Sequence, residues 1–153
     1  MAVLPFSEYR PDLNDLNKAY SSNILNAVPQ ADGYGPVKEP NAFSLALGSR
    51  VYGLFFARMP DGSIKVFAGT SVKLYTLDNT TLTWTDVSVG GTSYTALSTG
   101  ANWQFAQFND YVIATQANTD VQVFQLGVSS AFTSLTGSPP RAAYVSVVNR
   151  FLV

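Results

Sequence analysis

From Arg50 onward, the chain consists of short β-forming runs separated by strong turn residues. This alternation restricts the possible fold classes more than any other feature of the sequence. VYGLFFAR (51–58) and SIKVFAGT (63–70) flank Met59-Pro60-Asp61-Gly62. In such a turn Pro fixes φ, Asp caps the backbone with its side chain, and Gly supplies positive φ. The sequence therefore predicts a tight β-hairpin over 51–70.

The same alternation continues toward the C-terminus, with Asn79-Thr80-Thr81, Gly90-Gly91 and Asn109-Asp110 as breaks. Runs of this length with turn residues between them are typical of antiparallel strands. The further predicted strands are VKLYTLD (72–78), LTWTDVSV (82–89), SYTALS (93–98), WQFAQF (103–108), YVIATQ (111–116), VQVFQLG (121–127) and AFTSLT (131–136). The predicted fold class is all-β, an antiparallel meander.

The meander also resembles itself at an offset of about 46–49 residues. VFAGT (66–70) matches VIATQ (112–116), and VKLYTLD and WTDVS (84–88) find counterparts in VQVFQLG and FTSLT (132–136). Four short strands with their turns need about 40–50 residues, the size of one β-propeller blade. The sequence thus predicts two four-stranded blade-like units over 49–141. Chance self-similarity of an evenly spaced meander, or a β-sandwich, remains an alternative.

The last nine residues also match an earlier part of the meander. VSVVNRFLV (145–153) aligns with FAQFNDYVI (105–113), and Asn149-Arg150 stands where the earlier stretch has Asn109-Asp110. This alignment predicts that 142–153 begin a third unit, which is cut short.

Residues 1–48 differ from this pattern, because they hold five of the eight prolines and few apolar alternations. We expect an extended, Pro-rich docking arm with at most one short helix, capped by Asp12 and carrying Leu13, Leu16, Tyr20 and Ile24 on one face. An arm without its own core buries its apolar side chains against something else. The predicted interface residues are Tyr9, Tyr20, Ile24, Leu25 and Tyr34.

Composition narrows the function classes. Charged residues make up 12% of the chain, about half of the roughly 25% usual in soluble domains, and the net charge is −1. Weak repulsion between copies suits a subunit of a large assembly, although a neutral monomer fits equally well. The scattered Lys and Arg argue against direct, sequence-specific nucleic-acid binding. Apolar runs fall far short of about 20 residues, so no membrane insertion is expected.

The sequence offers little for catalysis, since it contains neither His nor Cys. Most hydrolase mechanisms and the usual zinc or iron sites need one of them. Two carboxylates suffice for a glycosidase, so the candidates are Asp61, Asp78, Asp86, Asp110 and Asp120. Each lies at a turn or on the polar phase of a strand, where an Asx turn or solvation explains it. We expect no enzyme activity, no cofactor and no metal.

Most aromatic residues fall within the β runs, where core or interblade packing is the simpler explanation than sugar stacking. LDNTTLTW (77–84) resembles the Asp-box turn of sialidase-like propellers, but it lacks the Gly and is one residue too long. Trp84 is expected to pack between blades. Other aromatic residues in the β runs include Phe55, Phe67, Tyr75, Phe105, Phe108, Tyr111 and Phe124.

Four phrases together resemble the structural proteins of tailed bacteriophages, in particular the tail-nozzle or tail-tube-end proteins of short-tailed phages. They are LPFSEYRPDLNDL (4–16), NILNAVPQADGYGPVKEP (23–40), FAGTSVKLYTLD (67–78) and WQFAQFNDYVIAT (103–115). Those proteins are much longer, so the likeness covers their opening part. It implies a non-enzymatic virion tail component, assembled in the bacterial cytoplasm as a ring, expected to be a hexamer, beneath the portal and its adaptor. The alternative is a carbohydrate- or receptor-binding β-propeller module of the tail.

Overall fold

The computed structural model describes residues 12, 25–30 and 33–153. The chain divides into two compact units, residues 1–42 and 43–153. The described part of the first unit is a two-stranded antiparallel hairpin, β1 (Ala27–Gln30) and β2 (Gly33–Pro36). The helix predicted over 12–24 lies outside the described residues, apart from Asp12, which lies in a turn.

Within the predicted arm, the described residues thus include one short hairpin, which the sequence did not predict. The hairpin tolerates Pro29 and Pro36 because each strand has only one partner, and a proline without an N–H is accepted on an edge. Beyond the ladder, the Val37 N–H donates to the Asn26 carbonyl at 3.0 Å.

The second unit contains two four-stranded antiparallel sheets, each formed by strands in sequence order. Sheet I consists of β3 (Val51–Arg58), β4 (Ile64–Thr70), β5 (Leu74–Leu77) and β6 (Trp84–Asp86). Sheet II consists of β7 (Gln104–Phe108), β8 (Tyr111–Thr115), β9 (Gln122–Gln125) and β10 (Thr133–Ser134). The predicted all-β antiparallel meander is confirmed.

Two short elements complete the second unit. A 3₁₀ turn spans Val89–Gly91, and a last hairpin pairs β11 (Val147–Val148) with β12 (Phe151–Leu152). Asn149 turns this hairpin with φ 54°, as Asn109 turns β7 into β8 with φ 53°. A hairpin is thus present in VSVVNRFLV, while a third four-stranded unit stays a prediction.

The predicted strand over 93–98 is wrong. Instead of joining a ladder, this segment makes two single backbone bonds to the β4–β5 turn, from Tyr94 N–H to Val72 O (2.8 Å) and from Leu97 N–H to Ser71 O (3.1 Å). The segment connects the end of sheet I to the start of sheet II, so its β-forming residues lie in a connecting segment and not in a strand. Tyr94 is nevertheless buried, which explains the apolar pattern.

The core lies between the two sheets. Phe67 of β4 meets Phe124 and Phe132 edge-on, with ring centroids 5.0 and 5.5 Å apart, and all three rings are fully buried. Phe55 of β3 stacks on Phe105 of β7 at 5.8 Å. Edge-to-face and offset contacts of this kind add to the free energy gained from area burial alone.

The indole of Trp103 lies directly on the backbone of sheet I. A Cβ placed on Gly69 would stand 2.4 Å from Trp103 Cδ1, and one on Gly53 would stand 2.7 Å from the Trp103 carbonyl oxygen. The indole N–H donates to Thr70 O at 2.8 Å. Two glycines in strands thus provide the space that lets sheet II begin in contact with sheet I.

Candidate interaction surfaces

The first strand of each sheet lies beside the first strand of the next. Trp103 N–H, just before β7, donates to Tyr52 O of β3 at 2.9 Å. At the other end of β7, the Gln107 amide accepts from Arg58 N–H (2.9 Å) and donates to Arg58 O (2.8 Å). In turn, β11 contacts β7. The order β3, β7, β11 therefore runs through the unit as a row of neighbours.

Sheet I has one covered face and one partly open face, on which the β4 residues paired with Leu54 and Phe56 are buried as well. Because side chains alternate along a strand, Phe55 and Phe67 point into the core and their neighbours point away. On the far side Leu54, Phe56 and Ile64 are 52%, 61% and 50% exposed. We call these three residues the outer face of sheet I.

The far side of sheet II is partly covered by the β11–β12 hairpin. Leu152 joins Ile113 and Val123 around an apolar cavity of about 430 Å³. Before the hairpin, the Thr115 hydroxyl donates to the Ala142 carbonyl at 2.6 Å. Leu152 of β12 and two central strands of sheet II therefore face the same cavity.

The hairpin also has an open side. Val148 is 57%, Phe151 71% and Val153 73% exposed, and these three residues are called the hairpin face. Val148 and Phe151 form a pair across the two strands, so their side chains share one side. Leu152, the residue that meets sheet II, points to the other.

Trp84 does not take the predicted place between blades, since it is absent from the buried cluster that joins the sheets. Its indole N–H donates to Leu45 O at 3.0 Å and to Ser44 Oγ at 3.2 Å, and Leu45 N–H donates to Leu82 O. The reason is its position on β6, an edge strand. Trp84 attaches the segment that precedes sheet I to the edge of that sheet.

Each candidate carboxylate has a local hydrogen-bond partner. Asp61 accepts from Ser63 N–H and the Ser63 hydroxyl, and Asp78 accepts from Thr80 and Thr81 N–H. These bonds hold the pKa of both carboxyls below the ordinary value, and they confirm the predicted turn roles. The other three acids pair as Asp86 with Lys73, Asp110 with Gln125, and Asp120 with Arg141. Within the described ranges, no three His, Cys, Asp or Glu side chains gather into a metal-binding group.

Asp86 links strand β6 to the β4–β5 turn through Lys73. Burial alone would raise the pKa of the Asp86 carboxyl, but the hydrogen bonds from Lys73 and Ser88 outweigh it and lower that pKa. The bond to Asp86 raises the pKa of Lys73.

We expect Asp86→Asn to destabilise the protein modestly at neutral pH, within the range of an exposed ion pair. A carboxyl whose folded pKa lies below its unfolded value stabilises the fold above the unfolded pKa, near 3.8, and loses that effect as pH falls through the folded pKa. The melting temperatures of the variant and the native protein should therefore converge in acid. Melting curves from pH 7 to pH 2 test this. Lys73→Gln added to Asp86→Asn should change little more, and a full second loss would contradict the pairing.

A polar recess lies near the start of β3. Arg50, Tyr52, Ser71 and residues 97–102 line a cavity of about 490 Å³. The Arg50 guanidinium carbon stands 5.2 Å from the centre of the Tyr52 ring. An aromatic ring beside several hydroxyl and amide groups is a combination that can hold a small polar ligand.

Of the five predicted arm residues, the structure describes two. Leu25 is largely exposed, Tyr34 is half-buried, and Tyr9, Tyr20 and Ile24 lie outside the described residues. The outer face of sheet I was not predicted from the sequence. Its signal was the unbroken apolar run at Leu54-Phe55-Phe56-Ala57, since a strand that is apolar on both phases is typical of burial on both faces.

No protein-family model matches the chain, and no curated protein matches it either. In the part of the chain that the structure describes, no helix has the length and apolar character needed to cross a membrane.

Proposed function

We propose that the protein is a non-enzymatic structural component of a phage tail, a nozzle or adaptor subunit that works in a ring of copies beneath the portal. The carrying observation is the pair of open apolar surfaces on the second unit, the outer face of sheet I and the hairpin face. Monomeric proteins rarely expose groups of large apolar side chains, so such groups mark surfaces that bind another molecule.

Three further features support this proposal. The four phrases quoted above, which lie between residues 4 and 115, resemble tail-nozzle proteins. The low content of charged residues leaves little repulsion between neighbouring copies. The two consecutive four-stranded meanders have the strand order of propeller blades. A propeller is completed when further four-stranded sheets pack on the faces that such blades leave open.

Particle incorporation tests the proposal. Bacteria producing the phage particles supply either the whole chain or a chain that lacks residues 1–42, the first compact unit. Purified particles are then analysed by mass spectrometry. We expect the whole chain in the particles and expect the shortened chain to fold, with a cooperative melt, but to be missing from them.

Two outcomes would contradict this expectation at different points. Absence of the whole chain from purified particles would refute the structural role itself. Incorporation of the shortened chain at the level of the whole chain would refute docking through residues 1–42 and leave the second unit as the attachment point.

The alternative function, carbohydrate or receptor binding, has one observation in its favour. The recess beside Tyr52 combines a ring with serine, threonine and asparagine side chains. Saccharide binding on a glycan array, abolished by Tyr52→Ala and kept by Tyr111→Ala, would favour this alternative. A flat array would count against it.

A further inference from the structure

The recess near the start of β3 carries a single charged side chain among the described residues that line it. Arg50 is basic, and none of the other lining residues is acidic or basic. Lys73 follows the lining residue Ser71 by two positions, but its ammonium is held by Asp86 and by Gly91 O at 3.2 Å, and it does not line the recess. The recess therefore offers one unit of positive charge to a ligand.

The ring of Tyr52 restrains the guanidinium of Arg50. The central carbon of the guanidinium stands 5.2 Å from the ring centre, within the range of a cation–π contact. This contact occupies one face of the ring, so a neutral sugar cannot stack there. An arginine restrained in this way loses less freedom when two of its N–H groups bind the same oxyanion. Tyr52 thus orients Arg50 toward an anionic group.

Hydrogen bonds hold the walls of the recess in place. Leu97 N–H donates to Ser71 O at 3.1 Å, and Ala101 N–H closes a turn by donating to Ser98 O at 3.0 Å. From outside the recess, the Asn118 side-chain amide donates to Ser98 Oγ at 3.0 Å. Walls that are already fixed need little further ordering when a ligand binds, which favours affinity.

The rest of the polar lining is uncharged. Ser71, Ser98, Thr99 and Asn102 supply hydroxyl and amide groups, which can both donate hydrogen bonds to ring hydroxyls and accept them. The volume of about 490 Å³ lies within the usual range of small-ligand sites. This lining suits a small molecule that carries several hydroxyl groups and one anionic group.

We propose that the recess binds a sugar acid, a monosaccharide that carries a carboxylate, with Arg50 on the carboxylate and the uncharged polar groups on the ring hydroxyls. One cation balances a carboxylate, whereas a phosphate monoester carries nearly two negative charges at neutral pH. The inference goes beyond the structural role proposed above. It rests on the alternative function, saccharide binding, and narrows that alternative to acidic saccharides.

Titration of the full 153-residue chain with D-glucuronate and D-galacturonate, followed by ¹H–¹⁵N NMR, tests the site. D-glucose is the matched neutral ligand, because it has a hydroxymethyl group where D-glucuronate has the carboxylate. We expect both acids to shift the amide signals of Tyr52 and residues 97–102 with a Kd of about 1 mM, as for a ligand of this size. D-glucose should bind at least about tenfold more weakly.

Two matched variants separate the carboxylate contact from a general effect of charge. Arg50→Gln removes the cation from the recess, and since Arg50 is exposed the variant should fold with a native circular dichroism spectrum. We expect it to bind D-glucuronate about 10- to 100-fold more weakly, the usual loss for hydrogen bonds to a charged group, and no better than D-glucose. Arg150→Gln makes the same change of net charge in the exposed turn of the last hairpin and should bind as the native chain does.

Four results would overturn the proposal. Absence of shifts with both acids at several times that Kd excludes sugar acids from the recess. Equal affinity for D-glucuronate and D-glucose assigns the recess to neutral saccharides, which keeps the alternative function and removes this inference. Unchanged binding of D-glucuronate by Arg50→Gln places the acid elsewhere, and tighter binding of D-glucose 6-phosphate assigns the recess to phosphate. Particle incorporation is measured separately, so failure here is told apart from failure of the structural role.

Discussion

Replacing Phe67 with alanine is expected to lower the free energy of unfolding by about 3–5 kcal/mol, the usual range for removing a fully buried ring. Phe67 has no exposed surface and touches the rings of both Phe124 and Phe132. Both sheets hold the position from opposite sides, so the cavity cannot close by a simple local shift. Urea unfolding followed by circular dichroism measures the change in midpoint and slope.

Phe43→Ala is the matched control, because the same ring is removed where 76% of it is exposed. Its effect should stay within about 0.5 kcal/mol, as for other surface substitutions. Equal losses at the two positions would show that Phe67 does not join the sheets in solution.

Gly69→Ala is expected to destabilise the fold by about 1–3 kcal/mol or more, although it adds only a methyl group. The new Cβ would stand 2.4 Å from Cδ1 and 2.6 Å from Cγ of Trp103, closer than non-bonded carbon atoms approach. The indole cannot move aside cheaply, because it is buried and its N–H is bonded to Thr70 O. The fluorescence of Trp103 should shift toward longer wavelength as its ring is displaced.

Gly48→Ala provides the comparison for this substitution. A Cβ on Gly48 would meet no atom within 4 Å. We expect its free energy of unfolding to be unchanged or slightly raised, since alanine restricts the unfolded chain more than glycine does. A loss at Gly48 equal to that at Gly69 would mean that chain flexibility, and not the contact with Trp103, sets the cost.

The strand pairs were predictable where the turn between them had strong local chemistry. Asp61 and Gly62 close the first hairpin of sheet I, and Asn109 closes the first hairpin of sheet II, as their residue types indicate. Local preference and the final structure agree at these points, so the sequence pattern was enough.

Prediction failed where the tertiary structure determined the use of a segment. Residues 93–98 have the composition of a strand, yet no sheet edge receives them, and Tyr94 is buried as part of a crossing. The hairpin over Ala27–Pro36 was not predicted, because its prolines and sparse apolar alternation indicate an extended arm, although a two-stranded ribbon accepts proline on the free edge of each strand. The position of Trp84 on an edge strand depends on where the sheet stops, which periodicity does not reveal.

The candidate surfaces were only partly accessible to sequence reasoning. Alternation identifies the two phases of a strand such as β3, but Phe55 and Phe56 look equally suited to a core. Which of the two is covered depends on the side on which sheet II packs. Membership of the two meanders in a complete propeller stays a prediction for the same reason.

Hydrogen bonds at both edges of the contact between sheets I and II fix the angle between the two sheets. Near the first strands of the two sheets, the Gln107 side-chain amide makes two hydrogen bonds to the Arg58 backbone. Near their last strands, Phe132 N–H donates to Val87 O at 2.8 Å. The angle between the sheets is thereby held at two separated points, with the phenylalanine rings as a spacer between them. In any row of repeated elements, curvature is the sum of equal small rotations, so an error in one angle accumulates with every step. Clamping both margins is a way to keep that rotation constant.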